Sequence, residues 1–378
     1  MSGIYIHIPF CKQACHYCDF HFSTSMKKKD EMVLALAKEI VMRKNEFSTE
    51  IIETIYFGGG TPSVLTNDEI NFLIDTAYSN YNVVENPEIT LEANPDDLST
   101  ERILELSKSP INRLSIGIQS FYEEDLKMMN RAHNSAEAIN CLQEATKYFD
   151  NISLDLIYGI PGLTDEMWRK NIETALSFRI PHISSYALTV EPKTALRKLI
   201  DTGKIAELQD EVASNHFIIL VETLQKNGFI HYELSNFGKE NYFSKNNSAY
   251  WLGKKYIGIG PSAHSYDGEK RGWNIANNSL YIKSILNDEL PIETEILTIS
   301  DRYNEYIMTG LRTIWGVSLE RIENEFGLEY LNYLKKQSQK FLNDDLLFIE
   351  NKILKPTAKG KFLTDGIASD LFYLNLEE

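Results

Sequence analysis

Cysteine is scarce in this chain, four in 378 residues, which excludes the disulfide frameworks of small secreted domains. Positive charge is also in deficit: 38 Lys and Arg stand against 54 Asp and Glu, a formal net charge of -16. Nucleic acids and anionic membranes are bound through concentrated positive fields, so neither is expected as a partner. No uninterrupted apolar run approaches the ~20 residues that span a bilayer. The first apolar stretch, Ile4 to Phe10, is short, carries His7 and Pro9 and lacks the basic lead of a secretory signal. Repeats and low-complexity segments are missing. The chain is therefore expected in the cytoplasm. Its 43% hydrophobic content supports a substantial core, and its length suggests a large domain with a smaller one.

What is present is a rhythm. Short apolar runs at Gly3–Ile8, Thr54–Phe57, Glu88–Glu92, Arg113–Ile118, Ile152–Tyr158 and Ile183–Thr189 read as strands. Amphipathic stretches at Lys29–Lys44, Asn67–Asn80, Ser99–Ser107, Ser135–Tyr148 and Asp165–Phe178 lie between them. Thr66 and Ser99, each followed by acids, look like helix caps. Strand–helix alternation of this kind predicts an α/β fold with a parallel sheet, either a partial barrel of six units or an open doubly wound sheet. Both collect ligands at the C-terminal strand ends. A helix over Asp201–Lys226 and a strand over His231–Phe237 follow, and Gly238–Ser279 reads as loop-rich. From about Leu297, helices followed by a hairpin at Leu346–Leu354 predict a winged-helix-like module. Residues 295–378 hold 14 acids, including Glu377 and Glu378, and 10 bases. This balance does not suit DNA binding.

Three of the four cysteines fall within eight residues: Cys11, Cys15 and Cys18, directly after the first strand. The spacing C-x3-C-x2-C lets one short loop aim three thiolates at a common centre. That is one ligand fewer than closes an ordinary iron–sulfur cluster, so one iron stays open. The competing reading is a zinc site completed by His7, His16 or His21. Zinc sites more often draw on a second cysteine pair, and Cys141 is alone in a helical segment. Gly58-Gly59-Gly60-Thr61-Pro62 after the second strand allows close backbone approach to a ligand but lacks the Lys-Ser/Thr end of a phosphate loop. Glu92, Gln119 and Asp155 sit at or within later strands. Asp155 is flanked by apolar residues and needs a partner if buried.

C-x3-C-x2-C with Tyr17 before the last cysteine resembles the signature of radical S-adenosylmethionine (SAM) enzymes, in which SAM chelates the open iron of a 4Fe–4S cluster. Further strings sharpen the resemblance: Tyr5–Cys11, Gly58–Pro62, Ile118–Phe121, Asn130-Arg131, Asp155–Gly162 and Tyr256–Ser265. Together they are similar to the oxygen-independent coproporphyrinogen III oxidase family and its haem-chaperone branch, over nearly the whole chain. The resemblance implies a partial (β/α)6 barrel. It divides the chain into a radical SAM core (1–235), a loop-rich extension lining the site (236–295) and a winged-helix-like C-terminal domain (296–378). It also implies that Cys11, Cys15 and Cys18 hold the cluster. Tyr5, Tyr17, Gly59, Gly60, Thr61, Glu92, Gln119, Arg131, Asp155 and Ala187 would line the SAM site, with Arg131 on the SAM carboxylate.

Two departures bear on the branch. The oxidases carry a further cysteine two residues after the third and a longer N-terminal extension. Here Phe20 occupies that cysteine position, and ten residues precede Cys11. Both features resemble the haem chaperones, which bind haem and pass it to an acceptor protein, with coproporphyrinogen decarboxylation as the alternative activity. The expected partners are haem or porphyrin and such an acceptor, with the chain a monomer or homodimer. Chaperone-branch proteins also carry His-Asn-x-x-Tyr-Trp, whereas this chain has Asn246-Asn247-Ser248-Ala249-Tyr250-Trp251. An amide is a poor iron ligand. The haem region is thus expected around Asn246, Asn247, Tyr250, Trp251 and His264, with His264 or His231 as the axial ligand.

Overall fold

The six apolar runs form β1 (Ser2–Ile8), β2 (Ile51–Gly59), β3 (Asn82–Ala93), β4 (Arg113–Gln119), β5 (Ile152–Tyr158) and β6 (His182–Ala187). Each pairs in parallel with the next. Residues 2–374 are described by the computed structural model. Side-chain alternation explains the burial on both faces. Ile4, Ile6 and Ile8 pack against the outer helices and are essentially buried, each contributing about 1.5–3 kcal/mol. Tyr5 and His7 take the opposite, concave face. Every residue of β4 is buried, as expected of a parallel strand covered on both sides.

The sheet curls without closing on itself. Beyond β6 it continues antiparallel through β7 (Ile230–Glu233) and β8 (Asn236–Gly238). Beyond β1 it continues through β9 (Tyr256–Ile259), parallel to β1, and then antiparallel through β10 (His264–Tyr266), β11 (Lys270–Asn274) and β12 (Ile292–Ile296). This corrects the loop-rich reading of Gly238–Ser279, which contains β9, β10 and β11 and a helix, Lys245–Trp251. Strands of three to five residues are too short to show a clear period of two. The helix expected over Asp201–Lys226 is also interrupted. One helix ends at Asp201 and the next begins at Asp210, with Gly203 between them at φ 71°. The capping signals read as expected: the hydroxyls of Thr66 and Ser99 accept backbone N–H bonds from Glu69 and Arg102.

The C-terminal module has its own core, built from Tyr303, Ile307, Leu311, Phe326, Leu334 and Leu354 among others. Helices Ile299–Leu311, Leu319–Phe326 and Leu328–Asn343 pack beside a three-stranded sheet of β13 (Val317–Ser318), β14 (Leu347–Glu350) and β15 (Ile353–Pro356). The β14–β15 turn has both central residues, Asn351 and Lys352, at positive φ, the geometry that matches a twisted hairpin. Residues 375–378, with Glu377 and Glu378, lie outside the described residues. Among the described residues no helix is long and apolar enough to cross a membrane.

Candidate functional site

The loop after β1 carries the three cysteines and is fastened on several sides. Cys11 N–H donates to Ser23 O (3.0 Å) and Ser23 N–H to Pro9 O (2.9 Å). Gly60 N–H donates to Ile8 O (2.9 Å), joining the ends of β1 and β2. Asn130, at φ 55°, donates to Ala14 O (2.7 Å) and accepts from Gln13. Lys12 pairs with Asp97, which accepts a further bond from Ser63. The loop is held from β1, β2 and the segments after β3 and β4 at once.

The cysteines face a cavity of about 1050 Å³ at the C-terminal strand ends. Nine of the ten expected SAM-site residues line it: Tyr17, Gly59, Gly60, Thr61, Glu92, Gln119, Arg131, Asp155 and Ala187. Tyr5 does not. It lines an adjoining chamber, because its side chain leaves the concave face on the β9 side of the sheet. Glycine is required twice in the β2 turn. Gly59 has φ 106°, and a Cβ on Gly60 would meet Phe10 O at 2.7 Å and Ile8 O at 2.8 Å. Gln119 ends β4 at φ 68°, an uncommon conformation for a side-chain-bearing residue.

Arg131 is half-buried, with its guanidinium held among the groups of the cavity wall. Its Nη1 lies 3.2 Å from Cys15 Sγ and 3.4 Å from Tyr17 Oη, while Nη2 donates to Asn94 Oδ1 (2.6 Å) and Gly117 O (2.9 Å). Its Nε has no partner. Asn94 also donates to Thr61 Oγ1 (3.3 Å) and so ties the glycine turn to the guanidinium. Neither Asn94 nor Tyr56 was singled out from the sequence. Asn94 lies two residues beyond Glu92 in a strand-end Asn-Pro, which reads as an ordinary turn signal.

Two carboxyls stand in the cavity wall. Tyr56 Oη donates to Glu92 Oε1 (2.7 Å) and Gly59 N–H to Glu92 Oε2 (3.2 Å). Burial raises Glu92 to about 7, against the Tyr56 bond and with Asp155's charge adding to the rise. Asp155 is pushed up to about 6, again by burial, with Ser184 and then Arg131 opposing. Its Oδ1 has no hydrogen-bond partner, so it is a buried acceptor aimed at the cavity and available to a ligand hydroxyl. Burial likewise raises Cys11, opposed by a hydrogen bond with Thr61, and raises Cys18 to about 11. Such thiols stay protonated until a metal takes the proton's place.

The zinc alternative finds no convergent ligand set among the described residues. His7 Nε2 bonds His21 O (2.9 Å), His16 Nδ1 bonds Met128 O (2.8 Å) and His21 Nε2 bonds Asn278 Oδ1 (2.7 Å). Among the described residues no three Cys, His, Asp or Glu side chains converge closely enough to hold one ion; zinc would need its sulfurs at about 2.3 Å. A multi-iron cluster is wider than an ion and takes thiolates that stand further apart. The three free thiols, the unpartnered Arg131 Nε and the unpartnered Asp155 Oδ1 together fit a cluster with a charged organic ligand beside it. Cys141 is buried in the core, with its thiol raised to about 12 by burial.

The expected haem region comes apart. Asn246 is buried at the N-terminal strand ends, opposite the cysteines, where Oδ1 accepts from Thr54 Oγ1 (3.1 Å) and the backbone N–H bonds Glu88. Asn247 donates its backbone N–H to the capping hydroxyl of Ser244, and Trp251 lies under the Arg312 guanidinium at 5.8 Å. Tyr250 and His264 instead line the adjoining chamber of about 440 Å³. One helical turn points these residues in different directions, so a sequence motif need not be a spatial cluster.

The chain matches the Radical SAM superfamily model over residues 5–175 and the HemN C-terminal domain model over 297–363. It is 36% identical over 375 residues to the haem chaperone HemW of Bacillus subtilis (strain 168), covering 97% of this chain and 98% of that one. It is 33% identical over 376 residues to the haem chaperone HemW of Lactococcus lactis, again covering 97% and 98%. The solved structure of Escherichia coli coproporphyrinogen III oxidase (HemN) superposes with a TM-score of 0.86 at 22% identity, over 98% of this chain and 90% of that chain. It therefore shares the fold, a partial (β/α)6 barrel with a C-terminal α+β domain. Membership of the superfamily implies a 4Fe–4S cluster and SAM. The chain belongs to the HemW haem-chaperone family of the radical SAM superfamily.

Proposed function

We propose that this protein is a haem chaperone of the cytoplasm that carries haem to an acceptor protein. In this reading a 4Fe–4S cluster is held by Cys11, Cys15 and Cys18, and SAM lies on the open iron. The observation that carries it is a single cavity bordered by three free thiols, a glycine turn and the Arg131 guanidinium, in a chain similar to haem chaperones over its full length.

Each residue has a separate task. The thiols would release their protons to solvent and hold the cluster as thiolates. Gly59 and Gly60 let backbone approach the methionine part of SAM, and Thr61 borders it. Arg131, already charged and aimed by Asn94, meets the SAM carboxylate. Asp155 Oδ1 accepts from a ribose hydroxyl, with Glu92 beside it. When bound, the cluster supplies one electron to SAM. The apolar walls keep water from the site.

The test is anaerobic reconstitution followed by paired assays on the full chain. Saturable haem binding at micromolar concentration without protoporphyrinogen formation is expected. Absence of haem binding, or conversion of coproporphyrinogen III in the presence of SAM and reductant, would overturn this reading in favour of an inert relative or of the decarboxylase. Sizing the reconstituted protein with and without haem distinguishes monomer from homodimer.

A further inference from the structure

Of the residues expected around haem, Asn246, Asn247 and Trp251 fall elsewhere, but Tyr250 and His264 gather in one place. A chamber of about 440 Å³ adjoins the cysteine cavity, and the two share Phe20, Gly59 and Glu92 in their walls. Tyr5 of β1 forms one side, Tyr250 and Tyr256 another, and His264 of β10 stands at its edge.

His264 differs from the other seven histidines. Both ring nitrogens of His7 are engaged, by Tyr5 Oη (3.2 Å) and His21 O. Those of His182 bond Ser153 and Tyr232, and those of His231 bond Leu234 O and face Lys361 Nζ at 3.4 Å. His16 and His21 each have one ring nitrogen hydrogen-bonded as described, and His21, with His7, also lines the chamber; His133 bonds Ile118 O (3.1 Å) and His216 accepts from Gly159 N–H (3.2 Å) in the core. The His264 side chain makes no hydrogen bond among the described residues. It is exposed, with the Trp273 ring 6.2 Å away. Partial burial of the ring and then the Arg271 charge lower its pKa, so the imidazole is neutral at physiological pH and one ring nitrogen offers a free lone pair.

The surroundings suit a flat apolar ring carrying a metal. Tyr250 and Tyr256 meet edge to face at 4.5 Å and offer aromatic surface. Phe20 is 70% exposed and lies on the border of both cavities, an apolar side chain with no apolar cover. We propose that haem is held in this chamber, against Tyr250, Tyr256 and Phe20, with His264 as the axial ligand of its iron. The assignment rests on the haem-carrying reading above. It puts the cargo next to the SAM cavity, separated from it by the Gly59 turn and Glu92. It also accounts for a chain that carries Asn246 in place of a histidine: the ligand comes from β10.

The experiment is titration of the reconstituted full chain with ferric haem, followed by the Soret band. The wild type binds with a histidine-ligated spectrum. His264→Ala, a substitution at an exposed site, shifts the Soret band and binds at least about tenfold more weakly, and added imidazole restores the wild-type band. His264→Met, which keeps a side chain able to reach the iron, retains binding with a changed band. Wild-type band position and affinity in both variants would overturn the ligand assignment while leaving the haem reading intact. A wild type that binds no haem overturns both.

Discussion

Arg131 Nη2 donates a 2.6 Å hydrogen bond to Asn94 Oδ1, and through it the guanidinium that touches Cys15 is aimed by an amide just beyond β3. The same amide donates to Thr61, so one neutral side chain sets the distance between the glycine turn and the cation. Replacing Asn94 by Ala leaves the cation in place but frees it to rotate. Iron content is expected to stay at the wild-type level while SAM binding weakens by about 1–3 kcal/mol. Equilibrium binding of SAM to the reconstituted variant reads this out; an unchanged affinity would sink the positioning role.

Removing thiols separates the cluster from the core cysteine. Cys11→Ala, Cys15→Ala and Cys18→Ala are each expected to lose most bound iron and sulfide after anaerobic reconstitution. Cys141→Ala, in the helix Ser135–Ala145, should keep its full complement. Iron and sulfide analysis decides, and an intact cluster in any of the first three would remove that residue from the ligand set.

Gly60→Ala tests how tightly the cysteine loop is fastened to β2. The added Cβ would meet three backbone atoms, Phe10 O, Ile8 O and Phe10 N, at 2.7 to 2.9 Å, and backbone cannot step aside as a flexible side chain can. A loss of about 1–3 kcal/mol of stability is expected, together with poor cluster retention. A denaturant midpoint equal to wild type would show that the loop has more room than its contacts indicate.

The buried acids give a pH signature. Glu92 titrates at about 7 in the folded protein, against 4.5 as its ordinary value, because burial disfavours its charge. The folded state therefore holds this proton more tightly than the unfolded chain. Its contribution to stability is complete below about pH 4.5 and is lost as pH rises through 7. Glu92→Gln removes the titration. The stability of the variant minus that of wild type, both without cofactors, should rise by roughly 3 kcal/mol between pH 4 and pH 8. Chemical denaturation across that range measures it, and a flat difference would mean that Glu92 is better solvated than its burial indicates.

Much of this molecule is written locally. Apolar runs bounded by Gly, Pro and Asn mark β1 to β6, and Thr66 and Ser99 mark helix starts, because strand burial and helix capping depend on neighbours within a few residues. The cysteine spacing and the glycine turn are legible for the same reason. What failed to read was long-range or very short. The strands β9 to β11 are too brief to display a period. Arg131 is placed in the site by resemblance, but its neighbours Asn94, Gly117 and Cys15 come from three other segments and only the tertiary structure shows them.

The Asn246–Trp251 stretch teaches the same lesson from the other side. Its residues are adjacent in sequence, yet Asn246 is buried against Thr54 while Tyr250 faces the chamber. The sequence alone pointed to the superfamily chemistry through the resemblance of its C-x3-C-x2-C loop and later strings to radical SAM proteins, with zinc left open by the spacing itself, and Phe20 in place of a further cysteine pointed to the chaperone branch. Only the tertiary structure showed that His264, among the described residues, has neither ring nitrogen hydrogen-bonded. A histidine's ligand capacity depends on whether its ring nitrogens already have partners, and those partners come from residues far away along the chain.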